Sequence, residues 1–188
     1  LTDEIGIEIE IQDISKANLK EIPVSCRGCV YWESPSDFEK NRDDAQKKAE
    51  LEVKKREWFE KTLGEFGSCG KIVYSNGKPI AYAQYSSSER LPNVSSYESK
   101  PVGKLEEGVV FLSCLYVADE TMRDKGIGEQ LLQNIIEDLR RRGFKAIETF
   151  ARRTSANNPS GPMAFYVKNG FHIKDKTNAE LPLMRLFL

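Results

Sequence analysis

Between residues 109 and 151 the chain changes its hydrophobic period twice, and that switch restricts its fold more than any other feature. Val109 to Val117 is apolar at every position except Ser113. A run of this kind suits a strand covered on both faces, because alternation disappears when neither face meets water. From Ile127 the pattern becomes helical: Leu131, Leu132, Ile135, Ile136 and Leu139 recur at three- and four-residue spacing on one face. This helix is expected to end at Arg140-Arg141-Arg142-Gly143, where cations meet the negative end of the dipole and glycine supplies a left-handed cap. Ala146 to Ala151 is a second strand. Strand, helix and strand within about 40 residues require a parallel pair joined by a right-handed crossover.

The remaining segments supply partners for that unit. Cys69 to Ser75 and Pro79 to Ser86 are β-rich runs joined at Asn76-Gly77, a hairpin signal because both residues tolerate positive φ. Ile5, Ile7, Ile9 and Ile11 alternate with polar residues as in a half-buried strand. Ser15 to Lys20 reads as a short helix stopped by Pro23. Ser36-Asp37-Phe38-Glu39 matches a capping box and opens a charged helical region reaching Leu63. Trp58, Phe59, Leu63 and Phe66 share its apolar face, and the stretch from Glu39 to Glu57 is expected in water. Ser87 to Gly108 has no periodicity and reads as a long loop. Pro162 opens a short helix bearing Phe165 and Tyr166 and closed by Gly170, before two last strands, Phe171 to Lys174 and Pro182 to Leu188. The sum is an α/β (α+β) mixed sheet with helices on its faces, in one domain spanning residues 1–188.

Composition excludes several classes. The 188 residues are 39% hydrophobic and 30% charged with a formal net charge of −1, which suits a globular protein and not a nucleic-acid binder. No apolar stretch is long enough to span a bilayer. Leu1-Thr2-Asp3-Glu4 lacks the basic start of a signal peptide, so the cytoplasm is the expected location. The absent initiator Met leaves open that an end has been trimmed. Cys26, Cys29, Cys69 and Cys114 are spread irregularly. Cys26-Arg27-Gly28-Cys29 has zinc or redox spacing, but no second close pair exists and His172 is the lone histidine, so the thiols are read as reduced and no metal is expected.

The chemistry is signalled where the apolar strand passes into the amphipathic helix, at Arg123-Asp124-Lys125-Gly126-Ile127-Gly128. Two glycines near a first helical turn each cost up to about 1 kcal/mol against alanine. Glycine lets backbone approach a ligand, and the unpaired N–H groups of a helix start form a cradle for phosphate. Arg123 and Lys125 lie at the positive dipole end, which an anion would compensate, although Asp124 and Glu129 act against this. No Gly-Lys-Ser/Thr follows, so the motif is not a P-loop, and Leu131 stands where a dinucleotide fingerprint needs its third glycine.

This junction resembles that of the GNAT acyltransferases, whose signature is Arg or Gln, two residues, Gly, one residue, then Gly or Ala. Leu115-Tyr116-Val117 is similar to the family's cofactor-flanking strand, and Phe165-Tyr166-Val167-Lys168-Asn169-Gly170-Phe171 to its aromatic-Tyr, Gly-Phe element. The resemblance covers residues 69–188, and residues 1–68 would line the acceptor site. It implies a mostly antiparallel sheet with helices on both faces and a central parallel strand pair. It further implies acetyl-CoA as donor, with its pyrophosphate on the amides of Arg123, Asp124, Lys125, Gly126, Ile127 and Gly128 and its pantetheine along Leu115 and Val117. A strand N–H near Leu115 or Tyr116 would polarise the thioester carbonyl, Asn158 would touch the cofactor, and Tyr166 would be the general acid to the CoA thiolate. The base position is less clear: Ser113 and Cys114 replace the family's usual strand carboxylate, and Glu33 is the nominated substitute. The acceptor would be a small-molecule or peptide primary amine, by direct attack, with a homodimer allowed and the acyl length open. A non-catalytic CoA-binding regulatory or interaction module is the alternative.

Overall fold

The computed structural model describes residues 8–41, 47–99, 107–154 and 161–188. The period switch folds as expected: β4 (Val109–Val117), α4 (Ile127–Arg141) and β5 (Ala146–Phe150) form the parallel crossover. The other strands are β1 (Glu10–Asp13), β2 (Gly70–Ser75), β3 (Lys78–Ser86), β6 (His172–Asp175) and β7 (Leu183–Phe187). They complete a seven-stranded sheet in the order β1-β2-β3-β4-β5-β7-β6, in which every other pairing is antiparallel. The remaining helices are α1 (Val24–Arg27), α2 (Pro35–Asn41), α3 (Lys48–Glu65) and α5 (Met163–Lys168). None of the described helices is long and apolar enough to cross a membrane.

Two hydrophobic clusters flank the sheet. Leu131, Leu132, Ile135, Ile136 and Leu139 of α4 and Tyr166 of α5 pack with Val110, Leu112 and Leu115 on one face. Phe59 of α3, with Leu19, Ile22 and Trp32, packs with Phe111, Cys114 and Phe150 on the other. A bulge at Ser113 makes this sorting possible. Gln84 pairs with Cys114 but Tyr85 pairs with Leu112, so β4 carries one extra residue. The side-chain alternation therefore changes phase, which returns Leu115 to the α4 side. The Ser113 hydroxyl, 1% exposed, donates to the Gln84 carbonyl at 3.0 Å.

Local chemistry explains the boundaries. Asn76 (φ 49°) and Gly77 (φ 72°) form the two-residue hairpin turn between β2 and β3. Gly143 (φ 78°) closes α4 as a Schellman cap: its N–H donates to Arg140 and that of Phe144 to Leu139. The capping box read at Ser36 is displaced. The helix already begins at Pro35, whose ring presets helical φ, and Ser34 precedes it with its hydroxyl 2.5 Å from Asp37 Oδ2. Instead of a helix over Ser15 to Lys20, only a 3-10 turn forms at Leu19–Glu21. The Asn18 side chain holds the backbone N–H of Ser15 and the carbonyl of Asp13, and so competes with helical bonds. The long charged region is α2 and α3; residues 42–46, like Ile5 and Ile7, lie outside the described residues. Within Ser87 to Gly108, two 3-10 turns bury Leu91 and Val94.

Burial of tyrosine hydroxyls makes the fold sensitive to alkali. Tyr82, Tyr85 and Tyr166 are at most 1% exposed, and burial pushes each phenol above its ordinary range. Because the folded-state values exceed the unfolded ones, this stability is fully present below about pH 10 and is lost as pH rises further. A pH titration should show phenolate absorbance appearing together with loss of the circular-dichroism signal. Phenolate absorbance well before unfolding would contradict it.

Candidate active site

The parallel pair is short. β4 and β5 pair only at Val109 with Ala146, Val110 with Ile147 and Phe111 with Glu148. Beyond that point the strands splay, and the Thr149 hydroxyl reaches across to the Leu112 carbonyl at 2.8 Å. An open cleft of about 470 Å³ begins there, bounded by Leu115 to Val117, the start of α4, and α5.

At the α4 end the backbone turns through two left-handed residues, Asp124 (φ 59°) and Gly126 (φ 77°). Among the described residues no backbone hydrogen bond takes the N–H groups of Asp124 to Glu129. Six consecutive unpaired donors at the positive end of a 15-residue helix make a strong anion receptacle. A Cβ on Gly126 would meet nothing within 4 Å, so this glycine serves the turn and not the packing. Gly128 lies on the cleft wall, where a Cβ would touch Leu115 at 3.5 Å and Phe165 at 3.8 Å.

Arg123 differs from its five expected companions. Its N–H already donates to the Glu120 carbonyl at 3.2 Å. Its guanidinium holds the Val117 carbonyl at 3.2 Å, the Tyr116 hydroxyl at 3.1 Å and Glu120 at 3.1 Å, over the Tyr116 ring. It therefore braces the turn against β4 while occupying one main-chain group expected to face pantetheine. Lys125 is exposed. Lys168 joins Glu129 at 2.7 Å across the cleft mouth.

Tyr166 lines the cleft beneath Gly161 and is 1% exposed. Burial raises its phenol and a hydrogen bond with Thr149 opposes this, leaving the hydroxyl protonated throughout the neutral range. Asn158 lies outside the described residues. His172 is exposed and stacks on Phe187 at the sheet margin.

Glu33 is not in that cleft wall. Its Oε1 is 2.5 Å from Lys55 Nζ and also accepts from Gln84 Nε2, while its Oε2 is buried without a hydrogen-bond partner among the described residues. The Lys55 ammonium is 2.5 Å from Gln84 Oε1 too, and Gln84 accepts from the Tyr82 hydroxyl. Lys55 is only 2% exposed, contrary to the solvated helix face read from its charged neighbours. Sequence reasoning missed it because Lys54, Lys55 and Arg56 look equivalent; only the four-residue step from Leu51 through Lys55 to Phe59 places it inward. Replacing Lys55 alone with Met should destabilise the fold by about 3–5 kcal/mol, since Glu33 would lose its counter-ion in a buried site. Lys55→Met with Glu33→Gln should recover most of that loss in denaturant titrations.

Lys55 also lines a second pocket of about 200 Å³, with Cys26, Cys29, Tyr82, Cys114 and Tyr116. Tyr116 belongs to both cavities, so they meet at β4. All four cysteines are free, and burial raises the thiols of Cys26 and Cys114, which disfavours a thiolate nucleophile at Cys114. No metal-holding group of three ligands occurs among the described residues.

Comparison with known proteins gives a consistent likeness. The model of the acetyltransferase (GNAT) family matches residues 29–171. Among solved structures, the chain is similar to the PaiA N-acetyltransferase of Thermoplasma acidophilum in complex with coenzyme A, at 16% identity and TM-score 0.61, over 96% of this chain and 99% of that one. It is similar to the ribosomal-protein-alanine N-acetyltransferase of Brucella melitensis at 19% identity and TM-score 0.61, covering 95% and 99%. A GNAT family acetyltransferase of Brucella melitensis in complex with acetyl-CoA aligns at 14% identity and TM-score 0.54, over 97% and 89%. No curated protein matches the sequence.

Proposed function

The chain belongs to the GNAT family of acetyltransferases, and on that premise we propose that it moves an acetyl group from acetyl-CoA to a primary amine by direct attack. The observation that carries this reading is the row of unpaired amides from Asp124 to Glu129, opening onto a cleft that Tyr166 lines. The pyrophosphate sits on those amides; Arg123 acts through its side chain and holds the turn. Pantetheine runs along Leu115, and the thioester enters where β4 and β5 separate.

The neutral amine attacks the carbonyl carbon, and a β4 N–H at Leu115 or Tyr116 stabilises the oxyanion. As the C–S bond breaks, Tyr166 gives its proton to the departing thiolate, and the amine nitrogen loses one. Glu33 is the nominated base, but Lys55 and Gln84 hold its Oε1, so only its Oε2 is left to take that proton. The names of the aligned enzymes, which include alanine N-acetyltransferases of ribosomal protein, support a peptide or small-molecule acceptor. Location in the cytoplasm, one domain over residues 1–188 and assembly as a homodimer belong to the same proposal.

One observation favours the alternative, a CoA-binding module without turnover: among the described residues no carboxylate lines the pocket on the far side of β4. Two measurements separate the cases. Acetyl-CoA should raise the melting temperature, because it binds only the folded state. Free thiol should then be released with at least one member of an amine panel. A thermal shift without release for any acceptor supports the module; no shift removes both.

A further inference from the structure

Lys55 is a costly residue for the place it occupies. A buried ion pair adds little stability over apolar residues of equal volume, so its presence asks for another reason. The ammonium has three N–H donors. Among the described residues two are placed, on Glu33 Oε1 and Gln84 Oε1, each at 2.5 Å. The same ammonium forms part of the wall of the 200 Å³ pocket, whereas Glu33 stands outside that wall. A molecule in the pocket therefore meets the cation and its remaining donor, and not the compensating carboxylate.

The other walls sharpen the selection. Cys26, Cys29 and Cys114 present thiols, and Tyr82 has given its hydroxyl hydrogen to Gln84. Burial keeps the Cys26 and Cys114 thiols neutral. Desolvation is the largest influence on the Lys55 ammonium and disfavours its charge; the Glu33 carboxylate opposes it, and the net direction is upward, so the ammonium stays charged. The rings of Trp58, Phe59 and Tyr82 surround the ammonium at 5.7–6.0 Å and keep it from moving out to water. Positive charge in a partly open pocket with mostly apolar walls, where Ser25 adds a hydroxyl, repels a second cation and attracts an oxygen lone pair. Tyr116 lines both this pocket and the cofactor cleft, so an occupant's amine at the β4 end would lie next to the place where the thioester is proposed to enter. The volume leaves room for only a few bonds between that amine and an oxygen at Lys55.

We propose that Lys55 selects the acceptor by donating a hydrogen bond to a carbonyl or carboxylate oxygen close to the reacting amine, which excludes polyamine acceptors. This deepens the acetyl-transfer reading and rests on it. The oxygen is available from two sources, a free amino acid or the first residue of a peptide.

The test uses the intact protein with acetyl-CoA and five probes: alanine, alaninamide, an alanine-initiated tripeptide, isopropylamine and spermidine. Product is followed by mass spectrometry. At least one oxygen-bearing probe should exceed isopropylamine in kcat/KM tenfold or more, and spermidine should be the poorest. Alanine ahead of the tripeptide identifies a free amino acid as the source; the reverse identifies a chain terminus. In Lys55→Met the ratio should collapse towards one, and Lys55→Met with Glu33→Gln should show the same collapse in a protein that has regained most of the lost stability. A preference for isopropylamine or spermidine, or an unchanged ratio in both variants, overturns the proposal. Saturation-transfer NMR on the protein with and without CoA reads the pocket apart from turnover. Contacts to the oxygen-bearing probes that vanish in the double variant support Lys55 even if acetyl transfer fails; no contact with any of them overturns it.

Discussion

Replacing Tyr166 with Phe should lower kcat by roughly 100-fold or more while leaving the affinity for acetyl-CoA within a factor of about three, the size of a lost general acid. The substitution removes one oxygen from a side chain that is 1% exposed and keeps the ring that packs with Phe165 and Phe171. Its structural effect is therefore limited to the hydrogen bond with Thr149, about 1 kcal/mol. Because burial pushes the phenol above its ordinary range, wild-type activity should show no fall from Tyr166 ionisation below about pH 10. Gly161→Ala is a companion test. Its Cβ would come 3.3 Å from the Tyr166 ring at a backbone φ of 70°, so it should shift the hydroxyl and reduce kcat without removing it. A Phe variant with wild-type kcat would reassign the proton to water.

Gly128→Val should weaken CoA binding by at least about 100-fold, or about 2.7 kcal/mol, with the apo protein still folded. Gly128 has an ordinary helical backbone, and a first carbon there makes normal contact with Leu115 and Phe165. The two further methyl groups would enter the cleft that Gly128 lines, where the proposed function puts the pyrophosphate. Calorimetry on a variant with an unchanged melting temperature isolates this effect. Retained affinity would place the cofactor elsewhere. Gly126 is a poorer probe, since any side chain there strains a left-handed turn and confounds folding with binding.

Much of the cofactor half was legible in advance because it is local in the chain. The strand at Val109, the helix from Ile127, the Asn76-Gly77 turn and the Gly143 cap each depend on spacing or on one residue's conformational freedom. The segment before residue 69 was less legible. Asn18 diverted a helix into a turn, Ser34 and Pro35 moved a start, and the charged face of α3 concealed Lys55. In each case a side-chain contact outweighed a pattern.

The order of residues alone determined that a parallel crossover exists, and that glycines and unpaired amides open its helix, because period and φ are properties of a short stretch. Only the tertiary structure decided which amides stay unpaired, with Arg123 turned to Glu120, Val117 and Tyr116. It also decided that Glu33, Lys55 and Gln84 meet across as many as 51 positions, with thiols from α1 and β4 in the same chamber. Charge and burial compete at such a meeting point, and sequence spacing holds no record of distances between segments that far apart.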